Sequence, residues 1–407
     1  MQPERQSSPL RIVVLSLSMF SIFGTALTLT GTLLPLLIDH FRLNYAEAGT
    51  LAVSVQLGYL LSVMLAGWLA KKVDGRGLLL GALGLSAVGF GLFGAVDSFW
   101  GACLLMVVGG AGGGTIEVVI NVVAMKLGKA RRGNMLNFIH VFFGLGAFAG
   151  PAIIGKLINL GVSWKWFYLA TGIAWGVLLL FTLPIHLPSI KQEPLAEGIV
   201  PTSVLRLPVA TILFAVMTIY VGLELGVGGW MTTYLRDVEG MTTTHAAYVA
   251  SAFWLGIAGG RLLLGAVSHR WHEPTIVIVL AVWAIICLLA ALTLPGPWPT
   301  AIALALVGTG YSGIYPTTVS WGGGTYPAQA AQVTALLATG GGIGAVVFPW
   351  VMGYLSESFG LVNGMRFYLL MALIMLAFVI WGRTRQFANR KVVAQDEPLA
   401  PVPQERV

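Results

Sequence analysis

Charge is what this sequence has least of. Only 10% of its 407 residues are Asp, Glu, Lys or Arg, against 57% hydrophobic residues. Soluble domains carry about 25% charge, and the mean hydropathy here is +0.85. A water-soluble globule is excluded, and a polytopic membrane protein remains. Cysteine is nearly lacking. Cys103 and Cys287 both fall inside apolar runs, which points to neither a disulfide framework nor a metal site. No glycine run ends in Gly-Lys-Ser/Thr, so there is no phosphate-binding loop. No cofactor is implied and no enzymatic activity is expected. The net charge of +7 resides in short loops, which does not point to nucleic acid. The first apolar run starts at Ile12 and is too long for a signal peptide, so no cleavable leader is expected.

What is present is long, continuous apolar sequence, which favours helices over an alternating barrel. Twelve segments are expected, near 11–38, 47–69, 77–96, 100–126, 134–160, 164–186, 207–235, 245–268, 274–294, 299–321, 329–355 and 362–382. The longest polar interruption divides them into a first bundle (1–187), a cytoplasmic linker (188–206) and a second bundle (207–385). A charged, Pro-rich tail (386–407) reads as disordered. With the N-terminus inside, Arg42, Lys156, Lys165, Arg236 and Arg366 fall outside. The other Lys and Arg residues, Arg261 among them, fall inside. This bias predicts both termini on the cytoplasmic side of a cell inner membrane. The expected partners are the lipid bilayer, protons and a small-molecule substrate, and a monomer is expected.

The two halves repeat. At an offset of 198, Gly24 pairs with Gly222, Gly31 with Gly229, Gly58 with Gly256 and Gly112 with Gly310. The string from Gly144 to Gly155 aligns with that from Gly342 to Gly353 as G-x-G-A-x3-P-x3-G. Equivalent segments share an orientation, so the repeat is parallel, about an axis along the membrane normal.

Polar residues found in one half alone are the candidates for a site. Glu117 follows a run rich in glycine, and Asn121 shares its helix face one turn on. A carboxylate at that depth costs several kcal/mol unless protonated, paired or hydrated. That predicts a proton-handling group, with a carboxyl held between helices as the alternative. Glu224 is a second isolated carboxyl, sharing a face with Tyr220 and followed by Trp230. Asn137 and His140 share a face of the fifth segment. His140 reads either as a ligand or proton group or as a histidine bonded to a neighbouring helix. Gln56 and Trp254 are repeat-equivalent, and Tyr311 and Tyr315 lie four apart in a segment containing Pro316. Carboxyl, amide, imidazole and aromatic groups together suit a polyhydroxylated solute.

Two six-helix halves in parallel repeat resemble the major facilitator superfamily. The stretch from Gly67 to Arg76 is similar to its loop between helices two and three, with Lys71 at the usual acidic position. E-x3-N at Glu117, L-N-x2-H-x3-G-x-G-A from Leu136 to Ala147, Y-V-G-x-E-x4-G-W from Tyr220 to Trp230 and S-x-F-W-x-G-x3-G-R from Ser251 to Arg261 resemble the fucose/galactose/glucose–proton symporter group. The resemblance implies an all-α major facilitator fold and a proton and sugar role for Glu117. That group's first-helix acid is replaced here by Gly31, and Glu224 is expected as the second carboxyl. Proton-coupled uptake of a sugar-like solute is the leading expectation. A proton-antiport drug or metabolite exporter of the same fold is the alternative.

Overall fold

The computed structural model describes residues 8–128, 132–187, 204–267 and 270–396, with the backbone alone at 67, 68, 70, 71, 128, 132–134, 137, 266, 267 and 387–396. Its long elements are all helices: α1 (Pro9–Phe41), α2 (Tyr45–Lys72), α3 (Gly75–Phe93), α4 (Phe99–Gly128), α5 (Arg132–Asn159), α6 (Trp164–Thr182), α7 (Pro208–Asp237), α8 (Thr243–Val267), α9 (Glu273–Thr293), α10 (Pro297–Tyr311), α11 (Ile314–Thr325), α12 (Ala330–Phe359) and α13 (Leu361–Asp396). Among the described residues, eleven helices are long and apolar enough to cross a membrane.

The helix limits have local causes. Asn44 caps α2 in a reciprocal box with Glu47: Glu47 N–H donates to Asn44 Oδ1 at 2.8 Å, and Asn44 N–H donates to Glu47 Oε2 at 3.0 Å. Two expectations from sequence are corrected. The tenth segment is not one span but two short helices, α10 and α11, parted at Ser312 and Gly313. Pro316 has no N–H for the Ser312 carbonyl, and its ring crowds that carbonyl, so the helix breaks there. The last segment, expected over 362–382, is a helix that runs on to Asp396. No Gly or Pro interrupts residues 386–396, and the first proline beyond them is Pro398. Residues 188–203 of the expected linker and 397–407 of the expected tail lie outside the described residues.

The repeat is visible atom by atom. Arg42 after α1 and Gly240 after α7 are repeat-equivalent, and both take the left-handed conformation that ends a helix (φ 54° and 69°). The halves meet through symmetric contacts. Gly49 on α2 abuts Gly353 on α12, and the equivalent Ala247 on α8 abuts Gly155 on α5. Gly31 and Gly229 are equivalents that touch each other. The pseudo-two-fold axis therefore runs between α1 and α7.

These contacts lie toward the end of the molecule that carries Arg42. There Arg236 Nη1 pairs with Asp39 Oδ2 at 2.6 Å and donates to the Pro35 carbonyl at 2.9 Å. Tyr45 N–H donates to Glu357 across the α2–α12 contact at 2.9 Å. Toward the opposite end, which carries Pro9, a Cβ on Gly259 or Gly265 of α8 would meet nothing within 4 Å. The molecule is closed at the Arg42 end.

Candidate functional site

The sequence candidates form two levels along the axis. The upper level is a small cavity beneath the closed end, with room for about two waters. Its lining includes Thr30, Gly31, Gln56, Trp230, Trp254 and Pro349. Gln56 Oε1 is buried there without a hydrogen-bond partner among the described residues. Trp230 is fully buried and donates its indole N–H to the Pro349 carbonyl at 3.1 Å. That bond joins α7 to α12, so Trp230 roofs the cavity and is itself anchored.

The lower level holds the ionisable groups. On α4, Glu117 Oε2 accepts a hydrogen bond from Tyr59 O–H on α2 at 2.8 Å. Gly114 makes this approach possible: a Cβ there would lie 2.7 Å from the Tyr59 carbonyl. Asn121 stands one turn along α4, its Oδ1 buried and unpartnered among the described residues. Across the axis, Arg261 Nη2 lies 3.5 Å from Glu224 Oε1. The Glu224 side chain is only 10% exposed, whereas that of Arg261 is 38% exposed.

A broken helix supports this second cluster. Arg261 Nε donates to the Ser312 carbonyl at 3.0 Å, and Tyr220 O–H donates to the Tyr311 carbonyl at 2.9 Å. Both acceptors are helix-end carbonyls freed by the break between α10 and α11. Two side chains that face Glu224 therefore also hold the break. Tyr315, at the start of α11, is within electrostatic reach of Glu117, Glu224 and Arg261. His140 on α5 is within reach of Arg261 and sits edge-on to Phe20, with centroids 5.1 Å apart.

The structure thus brings Glu117, Asn121, His140, Tyr220, Glu224 and Tyr315 to one level, and Gln56, Trp230 and Trp254 to another. Tyr311 is apart: fully buried, with its hydroxyl unpartnered among the described residues, it packs on Tyr220 and Phe253. The side chain of Asn137 lies outside the described residues. Two members escaped the sequence reading. The sequence does not single out Tyr59. Arg261 had been counted with the cytoplasmic charges, yet it stands inside α8 against Glu224. The signals for it were its place within an apolar segment and the carbonyl that Pro316 must leave open.

Two six-helix halves about an axis, a polar site between them and closure at one end are the architecture of one transporter family. The sequence matches the Major Facilitator Superfamily over residues 15–328 and again over 244–405. The chain belongs to that superfamily.

Its relatives are distant. Protein TsgA of Escherichia coli is 22% identical over 362 residues, covering 87% of this chain and 90% of TsgA. Bypass of stop codon protein 6 of Saccharomyces cerevisiae is 23% identical over 288 residues; the match takes in 64% of this chain and 58% of the yeast protein. Among solved structures, the E. coli fucose:proton symporter FucP superposes with a TM-score of 0.62 at 19% identity, over 92% of this chain and 99% of that one. This likeness agrees with the fold implied by the sequence motifs.

Proposed function

We propose that this superfamily member is a secondary transporter that carries a sugar or similar small polar solute together with protons. The carrying observation is the facing of two carboxyl clusters across the axis. Glu117 is held by Tyr59 in one half, and Glu224 is set against Arg261 in the other. A solute between them contacts both halves, so its binding energy bears on their relative position. A carboxyl in such a place can take up and release a proton as its access to water changes, and neither cluster needs a cofactor to do so. The fucose:proton symporter of similar fold supports a sugar-type solute and proton coupling.

The Lys and Arg bias supports an orientation with the Pro9 end cytoplasmic, in the inner membrane. On that orientation the Arg236–Asp39 contact closes the outside. Rocking of the halves about the Gly31–Gly229 contact exchanges the two openings.

Purified protein in liposomes loaded with a pH-sensitive dye tests the reading. Addition of the transported solute is expected to acidify the lumen, and an imposed proton gradient to drive its accumulation. Glu117→Gln keeps the shape and hydrogen-bonding capacity but cannot titrate. It is expected to lose accumulation and keep solute exchange. Accumulation equal to wild type in that variant overturns the role of Glu117, and solute entry coupled to proton exit would mark antiport instead.

A further inference from the structure

A neutral sugar explains the carboxyls, the amide and the aromatic rings of this site, but not its guanidinium. Arg261 is anchored through Nε on the Ser312 carbonyl at 3.0 Å. Its Nη2 is 3.5 Å from Glu224 Oε1, longer than the roughly 2.7–2.9 Å of a charge-assisted hydrogen bond. The two partners also differ in exposure: 38% of the Arg261 side chain is exposed, against 10% for Glu224. An entering solute meets the arginine before the carboxylate. The guanidinium fork is built to take a planar carboxylate through two parallel hydrogen bonds.

We propose that the solute is an organic acid, of the class of sugar acids and other hydroxylated carboxylates, and that its carboxylate displaces Glu224 from Arg261. This rests on the transport reading above and narrows its substrate class. The charges then balance. Before binding, the Glu224 carboxylate neutralises Arg261. After binding, the solute carboxylate does so, and Glu224, left without its cation in a buried place, takes a proton. One proton and one singly charged anion enter together, and the net charge of the pair is unchanged. The other groups facing the pair are Tyr220 on α7, Tyr311 on α10, Tyr315 on α11 and His140 on α5. Of these, Tyr315 offers a hydroxyl that either carboxylate can use, whereas Tyr220 O–H is donated to the Tyr311 carbonyl and Tyr311 is packed away against Tyr220 and Phe253.

The test compares each neutral sugar with its own acid on the purified full-length protein: D-glucose with D-gluconate, and D-galactose with D-galacturonate, with D-glycerate and L-lactate as smaller acids. Binding is read by thermal shift and calorimetry at pH 6 and pH 8. At least one acid is expected to bind ten-fold or more tighter than its neutral partner, and tighter at pH 6 than at pH 8. Arg261→Lys keeps a charge without the fork and is expected to weaken the acid at least ten-fold. Because Arg261 also supports the helix break, Glu224→Gln serves as the second variant. It leaves the arginine in place and removes its competitor, so the acid is expected to bind at pH 8 as tightly as wild type does at pH 6.

A purely structural Arg261–Glu224 pair predicts instead that Glu224→Gln weakens binding or leaves its pH dependence unchanged, and either result overturns the proposal. So does a neutral sugar that binds as well as its acid, or no binding by any of the acids. Neutral sugar binding that drives proton uptake would leave the transport reading standing and remove the anion. Acid binding without proton uptake would keep Arg261 as the carboxylate site but overturn both the proton step at Glu224 and the symport reading.

Discussion

Nε of Arg261 donates to the Ser312 carbonyl at 3.0 Å, the carbonyl that Pro316 deprives of its helical donor. The side chain therefore has two allegiances, one to a break in the backbone and one to Glu224. Tyr220 repeats the pattern: it lies one turn before Glu224 on α7 and donates to the Tyr311 carbonyl. A change of charge or occupancy at Glu224 acts on both donors and so on the joint between α10 and α11. Irregular backbone in a membrane helix is tolerated where side chains satisfy it and where it lines a cavity, and both conditions hold here.

Pro316→Ala restores an N–H four residues after Ser312. The regular helix then competes with Arg261 for that carbonyl, and α10 and α11 are expected to fuse. Removing a proline from a helix interior is favourable by up to about 3 kcal/mol. The expected outcome is a melting temperature equal to or above wild type, together with solute exchange at least ten-fold slower in liposomes. A slower exchanger that is also much less stable would argue against the joint.

Tyr59→Phe removes the hydroxyl that Glu117 accepts from at 2.8 Å and leaves the ring stacked on Phe23, with centroids 6.1 Å apart. A hydrogen bond to a charged group is worth about 1.5–3 kcal/mol. The variant is expected to fold, to lose about that much stability and to accumulate solute less steeply under an imposed proton gradient. Chemical denaturation followed by tryptophan fluorescence, paired with the liposome assay, measures both.

The architecture was legible because it rests on repeated sequence. Gly31 and Gly229, Gly49 with Gly353, and Ala247 with Gly155 are contacts that a constant offset of 198 encodes. The places of Glu117 and Glu224 were legible because an isolated carboxyl in apolar sequence has few bland explanations. What stayed hidden depends on partners distant in sequence. Tyr59 gains meaning only when α2 is laid on α4. Arg261 is 37 residues from Glu224 in the chain, and a cation near the end of an apolar segment reads as a topology signal. The break of the tenth segment was encoded in Pro316, a single residue inside a stretch read as one span.

Arg236 is 20% exposed and its partner Asp39 61% exposed, so this pair is a modest latch, worth about 0.5–1 kcal/mol. Asp39→Asn is expected to weaken closure at the Arg42 end without unfolding the protein, shifting the two openings by about two- to five-fold. Spin labels on Arg42 and Glu239 would report this as a larger share of long distances. High salt is expected to move wild type in the same direction and the variant less.

The contact between Gly31 and Gly229 separates geometry from symmetry. The two positions are repeat-equivalent, yet their missing side chains point differently. A Cβ on Gly31 would lie 2.8 Å from Gly229 Cα, whereas one on Gly229 would meet nothing within 4 Å. Gly31→Ala is therefore expected to oppose closure of the Arg42 end. Overpacking at a tight contact costs about 1–3 kcal/mol, which shifts the openings by about five- to 150-fold. Gly229→Ala at the matching place is expected to close normally. A cysteine at Gln56, which lines the cavity beneath the closed end, reads the difference once the buried Cys103 and Cys287 are changed to Ser. A membrane-impermeant maleimide added from the Arg42 side should label it at least several-fold faster in Gly31→Ala than in wild type, and at the wild-type rate in Gly229→Ala. Equal labelling in the two glycine variants would mean that closure does not run through this contact, and the rocking axis would have to lie elsewhere between the halves.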